Sequence, residues 1–282
     1  MFGSTIGTRE TLERWPNLRI ALCQFGASPS ISDNIRTISE FAERAKSQGA
    51  DLLVCPEAAM SRFPAEQQDQ VPPAEPLDGS FGSALASATA DSSLTIVAGG
   101  FTPGDGTRVK NTLFVAADGR ISAHYDKIHL YDAFEARESN KVIAGDIQPT
   151  VIDVDGITVG LATCYDLRFP ELFRVLADMG SKVVVLPAAW IKGAYKEEHW
   201  LTLLRARAIE NSLFVVGSGE SGERSIGRSA IFDPMGLQLT DLGTKASLAI
   251  VDIDVADVDR TREINPGLNN RRFSIVSTTP GA

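Results

Sequence analysis

The sequence predicts an α/β fold in which helices cover buried strands, and three observations carry that prediction. Short apolar strands alternate with helices whose apolar residues recur at helical spacing. The segment Gly49-Ala-Asp-Leu-Leu-Val-Cys-Pro-Glu-Ala58 also has an internal echo in Gly180-Ser-Lys-Val-Val-Val-Leu-Pro-Ala-Ala189, each reading glycine, buried strand, proline after a helix. Arg19–Gln24 and Thr158–Thr163 form a second such pair, so two similar β-α-β units are expected to face each other. Finally, the strand Ile157–Thr163 runs straight into Cys164, and the carboxyl end of a strand is where helix-covered sheets bind ligands.

Taken in order, residues 1–16 are a polar extension before the first strand, Leu18–Gln24. Asp33-Asn34 is expected to cap a helix carrying Ile35, Ile38, Phe41, Ala42 and Ala45, which Gly49 ends before the strand Asp51–Cys55. Pro56 stops that strand and Glu57 follows. A proline- and glutamate-rich loop spans 61–79, a helix 80–91 and a strand Leu94–Ala98. Asn111–Ala117 and Ile121–Tyr125 read as a hairpin across Asp118-Gly119, leading into Asp126-Lys127-Ile-His129-Leu-Tyr131-Asp132. After Cys164, Pro170 and Glu171 open a helix through Leu172, Phe173, Leu176 and Met179. The strand Lys182–Leu186, a helix over 197–210 and the strand Leu213–Gly217 follow. A hairpin pairs 226–232 with 237–241 across Asp233-Pro-Met-Gly236, and a strand at 247–253 precedes a short helix. Residues 17–276 are expected to form one domain, with 277–282 as a tail.

Composition narrows the function. The chain has 282 residues, 43% hydrophobic and 22% charged, which suits a globular protein rather than a disordered one. A formal net charge of -9 argues against nucleic acid as a partner, and Arg271-Arg272 reads as a local salt-bridge partner. No apolar run approaches the roughly 18 to 20 residues that span a bilayer, so no membrane role is expected, and the predicted location is the cytoplasm. Cys23, Cys55 and Cys164 are too scattered for a disulfide framework; the first two fall inside apolar strands and read as packing residues. His124, His129 and His199 show no metal-ligand spacing, which disfavours a metal-dependent amidohydrolase.

Three segments set polar groups beside apolar strands: Cys-Pro-Glu57, Asp-Lys127-Ile-His-Leu-Tyr-Asp and Thr-Cys164-Tyr-Asp-Leu-Arg-Phe-Pro-Glu. A thiol at an exposed strand end is a candidate nucleophile, although free cysteine is also a common core residue. Glu57 alone would pass for a solvated loop carboxylate and Lys127 for a surface lysine.

In this order and context the three residues resemble the carbon–nitrogen hydrolase (nitrilase) superfamily, from about residue 18 to 275. Cys-Tyr-Asp-Leu-Arg-Phe-Pro-Glu is similar to the amidase branch that contains ω-amidases and deaminated-glutathione amidases. Pro187-Ala-Ala-Trp190, His199-Trp200, Leu204–Asn211, Arg228-Ser229 and Asp233-Pro-x-Gly236 extend the match. The resemblance implies a four-layer α-β-β-α sandwich that pairs into a homodimer, and cofactor-free hydrolysis of a small linear amide to a carboxylate and ammonia. It implies Cys164 as nucleophile, Glu57 as general base and acid, and Lys127 with the backbone N–H of Tyr165 as oxyanion donors. Glu138 matches a second glutamate that orients the lysine and the substrate, with Glu135 a nearby competitor. Tyr131, Arg168 and Trp190 are candidate pocket residues, His129 a structural hydrogen-bonding one. Arg137, Arg168 and Lys192 are candidates to receive a substrate carboxylate, and the loops 61–79, 131–142 and 190–197 to set specificity.

Three alternatives stand beside this reading: a carbamoyl-group hydrolase on the same fold, a Cys–His hydrolase pairing Cys164 with His129 or His199, and a binding scaffold without catalysis.

Overall fold

A computed structural model describes residues 17–64, 70–134 and 136–276. The extension 1–16, the tail 277–282, Glu135 and part of the 61–79 loop therefore lie outside the described residues. The elements are β1 (Asn17–Gln24), α1 (Ile31–Ser47), β2 (Leu52–Val54), α2 (Ser80–Thr89), β3 (Thr95–Pro103), β4 (Val109–Ala117), β5 (Arg120–Asp126), β6 (Val142–Ile143), β7 (Thr150–Val154), β8 (Ile157–Leu161), α3 (Pro170–Asp178), β9 (Val183–Ala188), α4 (Lys196–Asn211), β10 (Phe214–Gly219), β11 (Ala230–Phe232), β12 (Gln238–Asp241), β13 (Ser247–Asp254) and α5 (Ala256–Ile264).

They build two sheets, ordered β13-β1-β2-β3-β4-β5, with β6 beside β4, and β12-β11-β10-β9-β8-β7. In the first sheet β1, β2 and β3 run parallel; in the second β8, β9 and β10 do. Each parallel trio is flanked by antiparallel strands: β13 and β4 in the first sheet, β7 and β11 in the second. The repeated segments thus occupy equivalent places in the two sheets.

Both faces of the central strands are buried, and strand alternation sorts their side chains into separate cores. Leu18, Ile20 and Leu22 of β1 enter the core shared with Val159, Leu161, Val183 and Val185 of the other sheet. Ala21 and Cys23 turn the opposite way, joining Ile38, Phe41 and Ala42 of α1 and Phe81 and Leu85 of α2. On the far side Val184 and Leu186 pack with Phe173 and Leu176 of α3 and Trp200 and Leu204 of α4. Three cores between four layers make the α-β-β-α sandwich.

Several local expectations change. The cap of α1 is Ser30, whose Oγ accepts the Asp33 N–H at 3.3 Å. Asp33 and Asn34 sit inside the first turn, and buried Asn34 instead ties the loop before α1 to the loop after β2, its Nδ2 donating to Met60 O at 2.9 Å and its Oδ1 accepting from Ser28 N at 2.9 Å. β3 runs on to Pro103 because β4 pairs along its whole length. β8 is half of a hairpin with β7, which the sequence reading did not anticipate, and it ends at Leu161 rather than Thr163. The β11 strand starts only at Ala230, since Gly227 (φ 69°) and Arg228 (φ 56°) both take left-handed backbone and break the extended run from 226.

Candidate active site

The ends of three strands, β2 and β5 of the first sheet and β8 of the second, converge. Glu57 follows β2 and is 1% exposed. Its turn lies against β3, where Gly99 N donates to Pro56 O at 3.0 Å. A Cβ at Gly99 would fall 1.7 Å from Glu57 O, so only glycine allows this approach. Lys127 follows β5 and is 2% exposed, its N–H donating to Asn111 O at 2.8 Å and its own carbonyl accepting from Gly145 N at 2.8 Å.

Cys164 opens a single 3-10 turn, Cys164–Arg168, with left-handed backbone at φ 46°. A non-glycine residue in that region stores strain, and surrounding contacts must hold it there. Asp166, fully buried, provides them: Oδ2 accepts the Thr163 N–H at 2.8 Å and the Tyr125 hydroxyl at 2.7 Å, and Oδ1 accepts the His129 N–H at 3.1 Å. The same Oδ1 lies 2.7 Å from His129 Nδ1, and the His129 ring stacks on Phe169 with centroids 3.7 Å apart. Arg207 donates twice to Leu167 O, at 3.0 and 2.7 Å. Tyr165 is second in the turn, a position whose N–H has no acceptor within the turn itself.

The polar groups interlock. Lys127 Nζ donates to Glu57 Oε1 at 2.9 Å and to Glu138 Oε2 and Oε1 at 2.9 and 3.1 Å. Asn111 Nδ2 bridges the same two carboxylates, at 2.8 Å to Glu57 Oε1 and 3.1 Å to Glu138 Oε1. The other oxygen of Glu57 accepts the Ala189 N–H at 2.7 Å, and Glu138 Oε2 accepts the Tyr131 N–H at 2.6 Å. The Cys164 thiol lines the same cavity as Glu57, Lys127 and Glu138 and lies within reach of their charges. Burial, followed by the Glu57 charge, pushes its pKa well above the ordinary thiol value despite the opposing ammonium of Lys127, so the resting sulfur keeps its proton. Burial works against the Lys127 ammonium, but Glu138 and Glu57 outweigh it and hold its pKa well above the ordinary lysine value.

These side chains floor a cavity of about 310 Å³, within the range of small-molecule sites. Tyr131, Trp190 and Arg137 line it, whereas Arg168 lies behind the wall, its guanidinium 5.0 Å from the Trp190 ring. Lys192 is exposed and donates to Gly222 O at 2.9 Å. Neither histidine of the Cys–His alternative pairs with Cys164: His129 is bound to Asp166, and His199 Nδ1 faces Arg168 Nη2 at 3.4 Å. Among the described residues no group of three or more His, Cys, Asp or Glu side chains is placed to hold a metal ion.

Three polar residues of this region were not singled out from the sequence: Asn111, Lys196 and Glu220. Glu220, 7% exposed, lines the cavity and accepts from Ser225 Oγ at 2.9 Å and Ala27 N at 3.3 Å. Burial raises its pKa from 4.5 to about 7. The folded state therefore holds a proton that the unfolded chain releases, and the stability this contributes is lost as the pH rises through about 7. Glu220→Gln should accordingly raise the melting temperature relative to wild type more at about pH 8.5 than at about pH 5, measured by scanning calorimetry. An equal effect at both values would contradict the assignment.

Comparison with known proteins finds relatives across nearly the whole chain. The family described as Carbon-nitrogen hydrolase matches residues 19–263. A protein named deaminated glutathione amidase from Escherichia coli O157:H7 is 36% identical over 255 residues, covering 90% of this chain and 97% of its own. An omega-amidase from Homo sapiens is 29% identical over 272 residues, covering 93% and 97%. Among solved structures, a glutamate-to-glutamine mutant of the amidase from Nesterenkonia sp. AN1 superposes with a TM-score of 0.78 at 29% identity, covering 93% of this chain and 97% of its own. That structure shows covalent addition of the acetamide moiety of fluoroacetamide at the active-site cysteine.

Proposed function

The chain belongs to the carbon-nitrogen hydrolase family, and from that premise we propose that it is an amidase that cleaves a small linear amide through a thioester on Cys164. The observation that carries the reading is the buried Glu57–Lys127–Glu138 cluster lining one cavity with the Cys164 thiol. Cys164 Sγ attacks the amide carbon while its proton passes to Glu57. The carbonyl oxygen becomes an oxyanion held by Lys127 Nζ and the Tyr165 N–H. An ammonium carries three N–H groups; Lys127 spends one on Glu57 and shares one between the oxygens of Glu138, which leaves one for the oxyanion. Losing such a donor typically costs about 2.7–4 kcal/mol of transition-state stabilisation. Collapse of the intermediate breaks the C–N bond, and Glu57 returns the proton to the departing ammonia. Water then adds to the thioester with Glu57 again as base, releasing the carboxylate. Glu138 and Asn111 act through Lys127 and Glu57, as positioning residues.

The deaminated-glutathione amidase and omega-amidase names of two relatives support an amide substrate. Reduced Cys23, Cys55 and Cys164 support a cytoplasmic location. Exposed Met179 and Phe273, which share a surface at the end of α3, support pairing into a homodimer. The test is ammonia release from a panel of simple aliphatic amides, α-ketoglutaramate, deaminated glutathione and N-carbamoyl amino acids. Ammonia with an acyl adduct on Cys164 is expected for amides; turnover of the carbamoyl compounds alone, or of nothing, contradicts the reading.

A further inference from the structure

Lys196, the first residue of α4, plays no part in the chemistry described above. It is 8% exposed, yet it lines the same cavity as Cys164. Its Nζ donates to the Tyr131 hydroxyl at 2.8 Å and stands 3.9 Å from the centroid of Phe134, 4.9 Å from Tyr131 and 5.8 Å from Trp190. Arg168 enters the same aromatic enclosure from behind, its guanidinium carbon 5.0 Å from Trp190, 5.6 Å from Phe134 and 5.9 Å from Tyr165. Among the described residues the buried Nε of Arg168 has no hydrogen-bond partner. Among the described residues, neither cation forms an ion pair with a carboxylate, and the positive charge of Arg168 acts against that of Lys196.

Two like charges that meet no carboxylate among the described residues oppose each other, and burial followed by Arg168 lowers the Lys196 pKa accordingly. Aromatic faces offset part of that cost, but they neutralise no charge. An anion entering the cavity would meet Lys196 directly and offset the charge of Arg168 behind it. A ligand whose reacting carbon sits at Cys164 reaches this end of the cavity with the far end of its acyl chain, because both residues line one space of about 310 Å³. We propose that Lys196, backed by Arg168, is the specificity-determining residue of the pocket and receives a carboxylate on the acyl chain of the amide substrate. The proposal rests on the amidase reading and adds to it the residue that selects the acyl group.

The competing account is structural: Lys196 would only stiffen the start of α4 against the loop that carries Tyr131 and Phe134. Succinamate and succinamide separate the two, since they differ only in whether the far end is a carboxylate or a neutral carboxamide. For Lys196→Met, the ratio of kcat/KM for succinamate over succinamide should fall about 100-fold, as truncating one partner of a desolvated charge pair does. Lys196→Arg keeps the charge and should retain most of the ratio, which guards against a misfolded methionine variant. A purely structural role would lower both substrates together and leave the ratio unchanged, overturning the proposal while the amidase reading stands. Wild-type enzyme that hydrolyses succinamide at least as well as succinamate would also overturn it. If wild type releases ammonia from neither, nor from any other amide, the amidase reading falls and the proposal falls with it.

Discussion

Cys164→Ala should abolish ammonia release, lowering kcat by about 10⁶-fold, the scale reached when a covalent hydrolase loses its nucleophile. The protein should remain folded. The substitution removes one sulfur from a site at the edge of a core, and alanine meets the same φ of 46° that cysteine already tolerates. Cys23→Ala and Cys55→Ala should behave oppositely. Their sulfurs lie 3.2 Å apart, fully buried in the core between the first sheet and α1 and α2, so truncation should cost about 1–2 kcal/mol while turnover persists. Ammonia assays beside melting curves for the three variants decide the matter; appreciable turnover in Cys164→Ala would remove the nucleophile from the account.

The contrast between these cysteines also shows what was legible in the sequence. Strand membership could be read for Cys23; Cys55 falls just past the three-residue strand Leu52–Val54 rather than inside it, because the flanking Gly49 and Pro56 are local signals that leave the exact end open. The two-sheet architecture was visible in the internal echo, since equivalent segments take equivalent places beside parallel neighbours. Glu57, Lys127 and Cys164 drew attention through their order and their resemblance to a known family, not through periodicity. Asn111 did not, because one asparagine at the start of an apolar strand carries no mark; its bridge between Glu57 and Glu138 exists only once β4 lies between β3 and β5. Lys196 looked like the solvated first turn of a helix, beside Glu197 and Glu198. Its burial comes from Tyr131 and Phe134, more than sixty residues earlier in the chain. Ser30 outcompeted Asp33 and Asn34 as a cap for a similar reason, since Asn34 is needed to join Ser28 to Met60.

The second large effect separates the proton shuttle from the oxyanion donor. Glu57→Gln keeps the shape of the side chain but cannot carry a proton, and general acid–base groups contribute about 10²–10⁴-fold. Glu57 accepts at both oxygens, from Lys127 and Asn111 at one and Ala189 at the other. The glutamine must therefore turn its NH₂ towards a donor, and some loss of stability is expected alongside the loss of rate. Lys127→Met removes the charge that lies between two carboxylates, each under 10% exposed. Breaking such a buried network typically costs about 3–5 kcal/mol, so the double variant Lys127→Met/Glu138→Gln, which restores the charge balance, serves as its folded counterpart.

The most direct test is the intact-protein mass of these variants after incubation with 4-nitrophenyl butyrate, whose leaving group departs without needing a proton. Glu57 is required again when water attacks the thioester, so Glu57→Gln should accumulate a stable butyryl adduct on Cys164. Lys127→Met and its charge-balanced partner lack the donor for the first tetrahedral intermediate, so acylation itself should be slow and little adduct should build up. Adduct in the glutamine variant and little in the lysine variants is the predicted result; equal accumulation in both, or none in Glu57→Gln, would contradict the division of labour around Cys164.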